Sequence, residues 1–442
     1  MTCATDSRVS TWSKSRLTVS VCGLFLLWAA IASQAQTFTV LHSFDGTDGS
    51  ALEIAPLVQG TDGYLFGTTE GGGAHTDGTV FAITTGGTVT TVTSFNGTDG
   101  ANPFTGVVQS AAGGLYGATN FGGSNGLGTV FKINAQTLTV LHNFASADGS
   151  PSQGGIIQGS DGNFYGTSLN DGADGSGTVY KITPGGAFTV LHNFTRSGGE
   201  GGNPYAPLMQ ASNGKFYGTT WDGGSFDHGT IFEVTSSGTF TTIYEFCLSN
   251  PNTCPDGYNV EGALVEGSDG NLYGMTARGG DPSCYLNGYI GCGTVFRITA
   301  AGALTTLHNF EGPDGAGPVS ALIQGTDGNF YGVTQYSGAN SGCFQGCGTV
   351  FNMTPAGTLT TLYNFCSDAG CTDGHAPLSG LTQDTNGTFY GSTADGGVNN
   401  DGTVYSLAMG LGPFVKTNPT VGAAGRTVNI LGTTDGHNRS YV

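Results

Sequence analysis

The sequence predicts an all-β protein, a seven-bladed β-propeller of four-stranded blades closed by its N-terminal strand. Three observations carry that expectation. An aromatic–glycine step recurs at Phe66, Tyr116, Tyr165, Tyr217, Tyr273, Tyr331 and Tyr390, at intervals of 50, 49, 52, 56, 58 and 59 residues. The same four short segments surround each step, and self-similarity at such a period marks a repeat architecture. The repeats also open on a segment that belongs at the end of a unit.

In chain order, residues 1–35 read as an export signal. Arg8, Lys14 and Arg16 form a basic start, residues 17–32 an apolar stretch, and Ser33 to Ala35 a small-residue cleavage point. The apolar stretch is too short to predict a membrane span, and no membrane insertion is expected after cleavage. Of 31 acidic and 12 basic residues, Asp6 and those three basic residues leave with the signal. The remaining 30 acidic and 9 basic residues give a net charge of −21. A surface so acidic excludes nucleic acid as a partner, because a polyanion needs a basic patch.

Residues 36–409 form the predicted propeller. The third unit shows the four segments plainly: GGIIQG, NFYGTS, GTVYKIT and AFTVLHNF. Each is rich in β-branched and aromatic residues and bounded by Gly, Asp, Asn or Pro, the pattern of short strands between tight turns. Glycine is 79 of the 442 residues without a Gly-X-Y period, which excludes collagen. A β-solenoid is the competing architecture. Residues 37–44, TFTVLHSF, match the fourth segment of a unit, and the seventh unit stops after its third segment, GTVYSL at 402–407. A ring uses such a displaced strand to join its ends; an open solenoid has no use for it.

These segments also carry a resemblance. QGSDGNFYGTS, GTVYKITP and TVLHNF look like the GloVer repeat of exported bacterial proteins, and the likeness covers residues 37–407. The repeat implies an export route but no established activity. Residues 410–442 differ: Pro419, Gly422, Gly425, Val428, Ile430 and Gly432 resemble the start of an IPT/TIG immunoglobulin-like domain. So few residues cannot bury a sandwich core. The expectation is therefore a truncated domain start or a disordered tail.

Loop lengths predict two unlike faces. The first and third turns of each unit are short; the loop between the second and third strands and the loop into the next unit are long and share the opposite face. Function concentrates in long loops on a rigid scaffold. Eight cysteines fall in those long loops as four close pairs: Cys247/Cys254, Cys284/Cys292, Cys343/Cys347 and Cys366/Cys371. In an exported chain they read as local disulfides. Zinc is the rival, weakened because no His lies at ligand-like spacing beside the pairs. Asp48, Asp99, Asp148, Asp256, Asp314 and Asp373 recur before the innermost strands. They read as turn formers, with calcium as a sharper alternative. His42, His142, His192 and His308 recur in the outermost strand and read as structural. No cofactor is expected.

Two sets of side chains are candidates for binding. A polar ring at the channel is predicted from Gln59, Gln109, Gln158, Gln210, Glu266, Gln324 and Gln383; inter-blade hydrogen bonds are the plainer role. Trp221, Tyr285, Tyr289, Tyr336 and Phe344 break the repeat in the long loops of units four to six and suit stacking on sugars or gripping a peptide. No HExxH, GxSxG, Walker or dinucleotide fingerprint occurs. The leading expectation is a monomeric, non-enzymatic binding or scaffold module, secreted or at the cell surface. Its partner would be a glycan, a cell-surface polymer or a protein. The alternatives are a purely structural surface repeat and a polysaccharide-active hydrolase or lyase at the channel mouth. An asymmetric acidic pair at that mouth is the feature that would favour the enzyme.

Overall fold

A computed structural model describes residues 36–54, 56–150, 154–286, 288–340, 342–343, 345–418 and 429–432. The predicted export signal lies outside them, as do Phe344 and Gln153. Among the described residues the chain is all-β, with only two single-turn 3-10 segments, Ser146–Asp148 and Ala369–Cys371. Seven four-stranded antiparallel sheets form the seven blades of a propeller. In the third blade the strands are Ile156–Gln158, Phe164–Ser168, Thr178–Ile182 and Phe188–Asn193, the four predicted segments.

Each repeated residue has a mechanical task. The glycine of the aromatic–glycine step faces the third strand's aromatic ring. Gly166 pairs with Tyr180, and a Cβ on Gly166 would lie 2.4 Å from the Tyr180 hydroxyl. At Gly332 it would lie 2.7 Å from Phe351 Cζ. The following Ser or Thr bonds its counterpart on the third strand, as in Ser168–Thr178 (2.9 Å) and Thr334–Thr349 (2.8 Å). In DGNFYG the Asp161 carboxylate accepts from the Asn163 backbone N–H (3.1 Å), the Asn163 side chain (2.7 Å) and the Tyr165 hydroxyl (2.8 Å). One aspartate thus closes the turn and anchors the aromatic that fills the core.

The core lies between blades. Seven apolar clusters each combine neighbouring blades, such as Tyr116 with Phe164 and Tyr180, and Tyr165 with Phe216 and Phe232. The ring closes as predicted. Thr37–Ser43 pairs with Thr403–Ala408 as the fourth strand of the last blade. Phe38 stacks on Tyr363 at 3.8 Å, and Phe44 joins Leu57, Phe81 and Tyr390 at the interface between the last blade and the first.

Beyond the ring, Val415–Asn418 pairs with Asn429–Gly432. This hairpin docks beside the last blade. The Phe414 N–H donates to the Thr385 carbonyl (2.9 Å), and Lys416 Nζ donates to the Gln383 carbonyl (2.9 Å). Residues 419–428, which hold much of the immunoglobulin-like resemblance, lie outside the described residues.

Candidate functional site at the long-loop mouth

Each long loop pairs with the loop that leads into its own blade, through bridges such as Ser50–Gly71, Tyr258–Arg278 and Ala316–Tyr336. A second brace sits at the rim, where His42 Nε2 lies 2.6 Å from Asp48 Oδ2 and His308 Nε2 2.7 Å from Asp314 Oδ2. His192 bonds Glu200 in the same way. Tyr244 and Tyr363 donate to Asp256 (2.8 Å) and Asp373 (2.7 Å) where the histidine is replaced. The recurrent histidines and aspartates are therefore one device. Its signal was the constant six-residue spacing of 42/48, 142/148 and 308/314. Asp48 and Asp314 also accept backbone N–H groups on Oδ1, at 3.1 and 2.9 Å. Both carboxylate oxygens of Asp48 and of Asp314 are thus engaged in holding the loops.

The position five residues beyond this carboxylate lies in the segment that leads to the innermost strand. It holds Glu53 in the first blade, Gln153 in the third, Tyr205 in the fourth and Glu261 in the fifth, against Phe104, Val319 and Leu378 elsewhere. The column carries a sequence signal of its own, its mixture of apolar and ionisable residues at one position of the repeat. Glu53 lies close to Glu70 of the same blade. Burial, then the Glu70 charge and that of Asp395, push its pKa up to about 8. Burial also pushes the Tyr205 hydroxyl up, and the charges of Glu261 and Glu53 add to the shift. Tyr205 and Glu53 belong to blades on different sides of the ring. That the Glu53 charge reaches Tyr205 places both at the channel mouth.

Glu261 connects this mouth to the predicted aromatic arc. Burial raises its pKa, opposed by a hydrogen bond from Trp221 and the charge of Arg278. Trp221 Nε1 donates to Glu261 Oε1 (3.3 Å), and Asn259 Nδ2 donates to the Trp221 carbonyl (2.7 Å). The Arg278 guanidinium lies 3.6 Å from the centre of the Tyr289 ring, a cation–π contact. Tyr289–Ile290 and Tyr285–Leu286 form a small hairpin within the long loop of the fifth blade. Tyr285 is 68% exposed and Tyr289 47%. A groove of about 250 Å³ runs beside it, lined by His228, Cys254, Tyr258 and Tyr289 among others.

The predicted arc thus resolves into different roles. Trp221 is half-buried and held by Glu261, while Tyr285 and Tyr289 present open rings. Tyr336 is half-buried and packs against the cluster containing Leu286, so it supports the hairpin from below. The disulfides Cys247–Cys254, Cys284–Cys292, Cys343–Cys347 and Cys366–Cys371 brace these loops, in the local pairing that the spacing predicts.

The glutamine column lies at the other face. Gln109 Oε1 accepts from the Thr61 N–H of the preceding blade (2.9 Å), Gln210 from Ser160 (2.8 Å), Gln324 from Ser268 (2.8 Å) and Gln383 from Thr326 (3.1 Å). Gln59 closes the circle on Thr385, donating to its hydroxyl (2.9 Å). Glu266 accepts from both the N–H and the hydroxyl of Ser212, at 2.8 and 2.7 Å. Gln158 reaches its own turn, at Gly162 (3.3 Å). Six of these seven side chains clip one blade to the next.

Residues 29–208, 185–405 and 283–437, three overlapping stretches, match a single repeat family. The chain belongs to the Gloeobacter/Verrucomicrobia repeat family. No curated protein matches this repeat protein. Among solved structures it is similar to extracellular domains of two hybrid two-component systems of B. thetaiotaomicron. The first is 14% identical with TM-score 0.54, covering 84% of this chain and 41% of that one. The second is 13% identical with TM-score 0.54, covering 90% and 46%. The repeat protein spans less than half the length of these chains, and at such identity the likeness shows the propeller fold alone.

Proposed function

We propose that this propeller is an exported binding module whose ligand is a glycan held at the long-loop mouth. The observation that carries the reading is the convergence of Glu53, Tyr205 and Glu261 from three blades beside the half-buried Trp221 and the exposed Tyr289. Sugars present hydroxyls around apolar ring faces, and such surfaces are met by flat aromatics flanked by carboxyl, phenol and guanidinium groups. Four disulfides suit an oxidising compartment, in agreement with the export signal expected at residues 1–35. A glycan array probed with the secreted protein tests the reading. Binding should weaken on Trp221→Ala and on Glu261→Gln. Retention of full binding by both variants would remove the mouth from consideration.

One observation favours a second reading, a hydrolase or lyase acting on polysaccharide. The Glu53–Glu70 pair is an asymmetric acidic pair at the mouth, and a carboxyl with pKa about 8 is protonated at neutral pH, as a general acid requires. Polysaccharide depolymerisation that vanishes in Glu53→Gln would select this reading.

A further inference from the structure

Two of the four disulfides are neighbours in space although they come from different loops. Cys343 and Cys347 lie in the long loop of the sixth blade, Cys366 and Cys371 in the loop leading to the seventh. All four sulfurs fall within 4.8 Å of one another, and Cys343 Sγ and Cys371 Sγ are 4.0 Å apart. A tetrahedral tetrathiolate with metal–sulfur bonds of about 2.3 Å has sulfur–sulfur edges of about 3.8 Å. The distance between the two disulfides is already that of such an edge. The sulfurs within each pair would need to move apart, while every distance between the pairs is already within 4.8 Å.

The backbone around the cluster is fixed independently of the sulfurs. The Cys343 carbonyl accepts from the Gly346 N–H (3.2 Å), and the Cys347 carbonyl from the Ala376 N–H (3.1 Å). The Cys371 carbonyl accepts from Gly374 (2.9 Å) and Gly397 (3.0 Å). Gly342 supplies the space: a Cβ there would lie 2.8 Å from Cys366 Sγ. Cys366 and Cys371 hold φ of 58° and 53°, a left-handed backbone that costs a non-glycine residue energy and that these contacts maintain.

We propose that Cys343, Cys347, Cys366 and Cys371 form a site for one Zn²⁺ ion once a dithiol has reduced their two disulfides. Two dithiol molecules supply four electrons and four protons and become disulfides. The four thiols so formed then bind Zn²⁺ as thiolates and release four protons. In the reverse direction two molecules of the dithiol's disulfide form take back the four electrons with four protons, expel the ion and restore the two staples, so the loops stay closed in either state. The other sulfur group, Cys247 and Cys254 with His228, offers only three ligands.

The test uses the full chain, reduced anaerobically with a phosphine and titrated with Zn²⁺. One equivalent should slow alkylation of these four cysteines by at least about tenfold relative to Cys284 and Cys292 in the same molecule. Co²⁺ in place of Zn²⁺ should give thiolate-to-cobalt charge-transfer absorption at one ion per chain. The absorption should be lost in the double variant Cys343→Ser, Cys366→Ser and kept in Cys284→Ser, Cys292→Ser. Equal alkylation of all cysteines in the presence of Zn²⁺ would overturn the proposal. So would cobalt absorption that survives the first double variant.

Discussion

At the short-turn face nearly every blade meets the same need with the same side chain, whereas at the long-loop face the fourth, fifth and sixth blades depart from the rest. Gln109, Gln210, Gln324 and Gln383 all reach a backbone N–H of the preceding blade. The column of Glu53, Phe104, Gln153, Tyr205, Glu261, Val319 and Leu378 has no common chemistry. The difference teaches where selection for the ring ends. A side chain whose partner is also repeated can be repeated with it. A ligand without seven-fold symmetry demands residues that differ between blades.

Removing the closing strand should have the largest effect. Deletion of residues 37–44 strips the last blade of its fourth strand and uncovers the edge Thr403–Ala408. We expect a loss of more than about 4 kcal/mol, read as aggregation in size-exclusion chromatography and a collapsed thermal transition. An unchanged transition would break the ring description on which both faces depend.

A paired substitution separates scaffold from site. Gly332→Ala drives a methyl against Phe351 and should cost about 1–3 kcal/mol of stability while leaving glycan affinity unaltered. Trp221→Ala should do the reverse, lowering affinity by about 1–3 kcal/mol with a small change in melting temperature. Denaturant unfolding and isothermal titration on both variants read the two quantities, and equal effects on both would erase the distinction.

The faces should also differ in their response to pH. Glu53 has a folded pKa of about 8 against an ordinary 4.5, so the folded state binds the proton more tightly. Its contribution to stability is present below pH 4.5 and is lost as pH rises through 8. Lys416, beside the short-turn face, is lowered by burial from 10.5 to about 8, with Asp384 opposing the shift. The unfolded state binds that proton more tightly, so stability due to this group rises with pH above about 8. Thermal melts across this range should lose the first slope in Glu53→Gln and the second in Lys416→Met.

The smallest effect belongs to Glu266→Gln. An amide serves this position in the other blades, so the substitution should change stability by no more than about 0.5 kcal/mol. A large loss would show that the Ser212 hydroxyl depends on a charged acceptor.

The seven blades, the displaced strand Thr37–Ser43 and the four local disulfides were legible in the sequence. Each rests on contacts between residues near in sequence or related by the repeat: Gly166 under Tyr180, Asp161 beneath Tyr165, Cys343 beside Cys347. Only the tertiary structure decided which departures from the repeat meet. Glu53 and Tyr205 are three blades apart in the chain, and Trp221 reaches Glu261 across a blade boundary. Likewise, the sulfurs of Cys343 and Cys371 meet only because two loops fold over the same blade edge. Local periodicity specifies a strand, but closing the ring brings distant loops to one axis. The chemistry of the mouth depends on that closure.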